Sequence, residues 1–320
     1  MRAGKEVAFG LLENGLDFIR SAIHHLMDEP DKTDLKYGIL HLCAGVELVM
    51  KYRLSKEHWS LLFQKVDSAT KSAFERGDFV SVSFNTCLER LKCICSIEFD
   101  KKISSQLEHL RKRRNRLEHF GILDSTSALK ASLLGVLNFI VDFIDEHIDG
   151  NDLDGTEKEI IETIRASLGD FEDFIKHRWK VIEDQIESAR KETCVTFCPT
   201  CYQDALVVDD GAKCLFCGFA GEGEGEEVAR AFVSNILGIN EYRCVKEGGE
   251  FPIYVCPECG LNSLVHPVDD EDLESWFCFS CGFEWDESEI AFCTGCGTPY
   301  VKTEGDTELC SICVEHHLSD

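Results

Sequence analysis

The sequence predicts a multidomain protein: an all-α helical bundle, then a helical connector, then three small β-rich modules organised around cysteines. Three observations predict this. Apolar residues recur at helical spacing through the first half of the chain, fourteen of the eighteen cysteines fall between Cys194 and Cys313, and the charge divides at the same place. Residues 1–193 carry 28 Lys and Arg against 34 Asp and Glu, whereas residues 194–320 carry 5 against 25. At 320 residues the chain is long enough for several cores.

The bundle is expected over 1–149. Leu12, Ile19, Ile23 and Leu26 make one helical stripe, and Leu35, Ile39, Leu42, Val46 and Val49 a second that ends near Leu54. "KEHWSLLF" reads as a loop leading into a short apolar turn. Helices are predicted again at about 80–97, about 102–120 and about 127–148, the last capped by Ser125 or Ser127.

"GNDLDG" then breaks the pattern. A stripe of Ile161, Ile164, Leu168, Phe171, Ile175, Trp179, Ile182 and Ile186 follows over 150–193. It predicts one long helix or a pair bent near Gly169, acting as a connector or as a coiled-coil dimer seam. Further on, 223–250 is expected to be a linker with a short helix, opened by the acidic, flexible "GEGEGEE".

Six CxxC pairs define the tail. Taken in order they form three sets: Cys198, Cys201, Cys214 and Cys217; Cys256, Cys259, Cys278 and Cys281; Cys293, Cys296, Cys310 and Cys313. The expected modules are 194–222, 251–285 and 286–320. Two thiolates on one tight turn reach one metal ion, and a second turn on a neighbouring hairpin completes a tetrahedral shell. Glycine after the second cysteine lets the backbone bend back under the ion. The sets therefore predict three zinc ribbons with three structural zinc ions, whose closed shells leave no position for substrate. Cys194, Cys244, His316 and His317 are left over, as ordinary residues or as substitutes for a ligand of the last set.

A tail with 25 acidic residues against 5 basic ones repels a phosphate backbone, so the ribbons point to a regulatory or target protein rather than to nucleic acid. No secretory leader is expected, because the first twenty residues lack a continuous apolar core. "SLLGVLNFIVDFI" is too short and too interrupted to span a bilayer. The expectation is a soluble, cytoplasmic protein with no membrane partner, in a compartment where paired cysteines hold metal.

One dense cationic site remains. "RKRRNRLEHF" (111–120) places five cations in six positions and ends on His119 and Phe120. Within it, Arg114-Asn115-Arg116-Leu117-Glu118-His119 has the form R-N-x-x-x-H. This resembles the R-x(4–6)-H signature of the HEPN (higher eukaryotes and prokaryotes nucleotide-binding) superfamily, in the variant found in its ribonucleases. The helix "LHLCAGVELVMKYRL" is similar to the second helix of that fold, and "EHWSLLF" and "GDFVSVSF" to segments of bacterial members with a zinc-ribbon tail. The resemblance covers about 1–148.

The resemblance implies an endoribonuclease that needs no metal for catalysis, of the kind that serves as a toxin or an antiviral defence nuclease. Such an enzyme cleaves RNA through its own 2′-OH to leave 2′,3′-cyclic phosphate and 5′-OH ends. His119 is the expected base, since an unperturbed imidazole titrates near neutrality. Arg114 is the expected phosphate clamp through its planar fork of donors, and Asn115 is expected to orient either the histidine or the phosphate. Arg111, Lys112, Arg113 and Arg116 are the expected RNA-binding residues. At roughly 100° per residue, Lys112, Asn115, Arg116 and His119 share a helix face and Arg114 lies roughly 140° from His119. The homodimer implied by the resemblance would set two motifs against each other and solve that geometry. The alternative is a non-catalytic HEPN scaffold whose ribbons mediate protein–protein interaction, with the cluster a solvated helix end. His24, His25, His41, His58 and His109 are read as structural.

Overall fold

A computed structural model describes residues 9–27, 30–121, 125–209, 211–221, 225–266, 275–302 and 308–317. The chain divides into two compact units, one of residues 1–123 and 133–174 and the other of 124–132 and 175–320. Two of the three boundaries, at 132/133 and 174/175, fall inside long helices, and none falls at the composition breaks near 150 and 193.

The first unit is helical and is organised by its first two helices, α1 (Leu11–Leu26) and α2 (Lys32–Glu57). Asp31 caps α2 by accepting from the Thr33 and Asp34 amides. Leu12, Ile19, Ile23 and Leu26 of α1, with Ile39, Leu42, Val46, Val49 and Leu54 of α2, are buried as their spacing predicts. The two backbones approach closely at Gly15 and Gly45. A methyl group at position 45 would come within 2.6 Å of Ile19 Cγ1 and 2.8 Å of the Gly15 carbonyl.

Between α2 and the next long helix, "WSLL" forms a 3-10 turn, Trp59–Leu62, a second turn spans Val66–Ser68, and α3 is short (Lys71–Arg76). The rings of Phe63 and Phe79 stack at 4.1 Å, with Trp59 and Phe74 against them. The helix expected from about 80 starts later, as α4 (Phe84–Cys95), because Ser83 caps it and Ser81 bridges to Phe63 in extended conformation. Arg90 of α4 fixes the turn by donating to the Phe63 carbonyl at 2.8 Å and the Gln64 carbonyl at 3.1 Å.

Helix α5 (Lys101–His119) starts at Asp100, whose carboxylate accepts from the Ile103 amide at 2.6 Å. Helix α6 (Thr126–His147) is capped by Ser125, whose Oγ accepts from the Ala128 amide. Among the described helices α6 alone is long and apolar enough to cross a membrane, and 67% of that apolar window is buried in the fold. Helix α7 (Gly155–Glu192) runs unbroken through Gly169. Its stripe is covered within the chain: Ile161, Ile164, Leu168 and Phe171 are buried in the first unit, and Ile182 and Ile186 belong to the core of the second.

The second unit holds three small antiparallel sheets among the described residues. The first joins β1 (Cys194–Phe197), β2 (Asp204–Asp209) and β3 (Gly211–Cys214) in sequence order. The second orders β4 (Ile253–Val255), β5 (Asn262–Val265), β6 (Ser275–Cys278) and β7 (Glu284–Asp286), and the third pairs β8 (Ile290–Phe292) with β9 (Pro299–Val301). Between the first two sheets, where a linker is expected, lie α8 (Glu226–Asn235) and α9 (Glu241–Lys246); residues 222–224 of the acidic stretch lie outside the described residues. Val228, Ala229, Phe232 and Val233 of α8 join a core with Phe216, Phe277, Phe279, Ile182, Ile186, Ala128 and Ala131. A last helix, α10 (Ser311–His317), carries Cys313.

Candidate functional site

All eighteen cysteines are free, and twelve of them form three groups of four in the order their spacing predicts. In each group the four sulfurs lie within 4.8 Å of one another. Closest approaches are 3.8 Å for Cys198–Cys217, 3.7 Å for Cys201–Cys214, 3.8 Å for Cys256–Cys281, 3.7 Å for Cys259–Cys278 and 3.7 Å for Cys296–Cys310. Tetrahedral coordination with bonds of about 2.3 Å sets neighbouring sulfurs about 3.8 Å apart, so the donor sets fit a tetrathiolate metal site.

The local backbone explains the fit. Gly218, Gly260, Gly282 and Gly297 follow the second cysteine of their pairs with φ between 72° and 77°, the left-handed bend that brings the chain back under the sulfurs. After Cys201 the same bend falls on Tyr202, at φ 63°. The sixth pair has no such residue, because Cys313 sits in α10 and reaches the site from a helix. Amides point at the sulfurs: Thr200 N donates to Cys198 Sγ at 3.4 Å, Phe219 N to Cys217 Sγ at 3.4 Å and Cys310 N to Cys293 Sγ at 3.2 Å. Such donors favour thiolate. In the second group the pair splits: Cys278 is brought down, chiefly by its hydrogen bond with Cys256 and further by the Ser263 hydroxyl, while the same bond pushes Cys256 up. Cys293 is brought down to about 6, first by the Cys310 amide.

Burial grades the three groups. The first is wholly buried, the second half so, and the third leaves Cys296 exposed. The first also has supports that spacing alone does not reveal. Arg178 of α7 donates to the Phe216 and Leu215 carbonyls, both at 3.0 Å, and Ser125 Oγ donates to the Cys217 carbonyl at 2.6 Å. Trp179 Nε1 donates to Gln203 at 2.8 Å. Of the leftover cysteines, Cys244 donates to the Glu250 carbonyl, and the Cys194 thiol is pushed up to about 12 by burial and the nearby Glu284 carboxylate. The side chains of His316 and His317 lie outside the described residues.

The cationic end of α5 is sorted by the fold. Lys112, Arg116 and His119 are exposed and Asn115 is half-buried, along one face of the helix. Among the described residues no carboxylate pairs with Lys112 or Arg116. Arg111 is held by a forked ion pair to Glu108 at 2.7 Å, and Arg113 is buried, 5% exposed. Arg114 is half-buried beside Cys43 of α2 and paired with Glu118 at 3.2 Å, its Nε buried and without a hydrogen-bond acceptor among the described residues. Arg114 and His119 therefore do not converge within one copy of the chain. Phe120, directly after the motif, is 92% exposed. No known protein family, curated protein or solved structure matches the chain.

Proposed function

We propose that the chain is a HEPN-type endoribonuclease that works as a homodimer, with three structural zinc ions in its tail. The observation that carries the reading is the open face of α5, where Lys112, Asn115, Arg116 and His119 stand together beside solvent. Lys112 and Arg116 supply unneutralised positive charge for a phosphate backbone. His119 takes the 2′-OH proton, the freed oxygen attacks the adjacent phosphate, the P–O5′ bond breaks, and the 5′-oxygen leaves with a proton from solvent water, to which His119 returns its own. Arg114, once released from Glu118, is the clamp for the charge that builds on the phosphate. A second copy facing this end of α5 supplies the convergence that one copy lacks.

The donor sets fit zinc, whose preference for four thiolates at about 2.3 Å matches the sulfur spacing. Eighteen free thiols suit a reducing compartment such as the cytoplasm. The acidic ribbons are the surface for a regulatory or target protein, since like charge keeps RNA away from them.

A second reading, a non-catalytic scaffold, draws on the ion pairs that neutralise Arg111 and Arg114. Purified protein incubated with single-stranded RNA in chelator separates the two. The nuclease reading expects 2′,3′-cyclic phosphate ends and a loss of about 10²–10⁴ in rate for His119→Ala. Because His119 is exposed, helicity should be unchanged. Intact RNA, or cleavage undiminished in both His119→Ala and Arg114→Ala, overturns it.

A further inference from the structure

In the first unit, away from the motif, a groove of about 440 Å³ opens between the start of α5 and the second half of α6. That volume is in the range of small-molecule sites. At its base lies Gln106, only 5% exposed, whose Oε1 is buried and accepts no hydrogen bond among the described residues. A buried amide oxygen without a partner is unfavourable, so a ligand that draws the Gln106 side chain outward and brings an N–H to its oxygen has something to gain. Gly135 leaves that amide its place: a methyl group there would come within 2.6 Å of Gln106 Oε1 and 2.8 Å of its Nε2.

The walls select the ligand. Phe99, Phe139 and Phe143 form an aromatic side, the Phe99 and Phe143 rings near parallel at 6.5 Å and Phe139 set edge-on to Phe99 at 6.0 Å. The rim carries Glu98, Asp142 and Glu146 as exposed carboxylates, with Asp100 occupied in capping α5 and Lys102 the one cationic side chain with a fixed charge. The carbonyls at the end of α6 add partial negative charge on the same side. A nucleotide or other phosphate compound would be repelled. A divalent ion is disfavoured too, since among the described residues only the cysteine groups bring three ligand atoms within 4.8 Å of one another. Carboxylates spread around an aromatic wall suit a cation with several separated N–H centres and hydrocarbon between them.

We infer that this groove is a binding site for an aliphatic polyamine, one ammonium group donating to Gln106 Oε1 and the others meeting Asp142 and Glu146 across the phenylalanine wall. Titration calorimetry of the full chain with spermidine at 0.15 M NaCl tests it. One saturable site per chain is expected. Asp142→Asn combined with Glu146→Gln should weaken it by about tenfold or more, as loss of charge-assisted hydrogen bonds implies. The paired tail substitutions Glu258→Gln and Glu287→Gln, equally exposed, should leave it unchanged. Gln106→Met, close in volume, should also weaken binding, with thermal unfolding recorded to confirm that the fold is intact. Equal weakening by the groove and tail pairs, or displacement of spermidine by equimolar magnesium chloride, would mean diffuse attraction to an acidic protein and overturn the proposal. None of these readouts involves RNA, so the outcome is independent of the nuclease assay.

Discussion

Two histidines ten residues apart on α5 meet opposite surroundings. His119 is exposed at the helix end, whereas the His109 imidazole is brought down to about 3 by burial, with the charges of Arg113 and Lys112 adding to the effect. Unfolded, His109 takes a proton near 6.5; folded, it resists until about 3. The unfolded state therefore binds more protons in that window, and stability present above about pH 6.5 is lost as the pH falls through it. The full span corresponds to on the order of 5 kcal/mol, and the step from pH 7 to 4.5 to about 2–3 kcal/mol. His109→Gln should lose correspondingly less stability than wild type over that step. Urea unfolding of both chains at the two pH values checks this, and equal losses would remove His109 from the account of acid sensitivity.

At the scale of elements, α1 and α2 cross where Gly45 meets Ile19 and the Gly15 carbonyl. A side chain there presses on backbone, which cannot rotate away. Gly45→Val should destabilise the first unit by about 1–3 kcal/mol or more, measured by denaturant unfolding, whereas Gly77→Ala, with open space around it, adds only the strain of its positive φ. The metal groups are graded in a similar way by what surrounds them. The third group has Cys296 at the surface and a two-stranded sheet beneath it, while the first is enclosed in the core of its unit. A colorimetric chelator should therefore withdraw metal in three phases, the third group first and the first group last. Cys293→Ser combined with Cys296→Ser should abolish the fast phase only. Loss of metal from the first group before the third would contradict the assignment of burial as the controlling factor.

At the scale of the whole molecule, the tail is not a detachable appendage. Ala128, Ala131, Ile182 and Ile186 are buried in the same core as the first cysteine group, with Ile175 and Trp179 packed against them. A chain cut after Lys191 would expose these apolar side chains together. It should aggregate or lose cooperative unfolding, whereas a chain cut after Phe292 keeps Ile290 and Phe292 against Trp276, removes β9, α10 and the third cysteine group, and should remain monodisperse. Size-exclusion chromatography and far-UV circular dichroism of both chains check this. A well-behaved chain ending at Lys191 would mean that the first ribbon packs independently.

Features that depend on local repetition were legible from residue spacing alone. Helical stripes such as Leu12 to Leu26 were readable because one face of a helix must be apolar to be buried. The three cysteine groups were readable because four ligands at CxxC spacing close one tetrahedral shell. What depends on which elements meet was decided by the tertiary structure. Within "RKRRNR" helical spacing puts Lys112 and Arg116 on the face of His119; packing and ion pairing then bury Arg113, engage Arg111 and Arg114, and leave Lys112 and Arg116 with no carboxylate partner among the described residues. The groove at Gln106 is equally invisible in sequence, since its lining comes from two helices, α5 and α6, that are brought together by packing. Long-range packing also put two of the unit boundaries inside α6 and α7 rather than at the breaks in composition, because a helix end joins whichever core covers its apolar face.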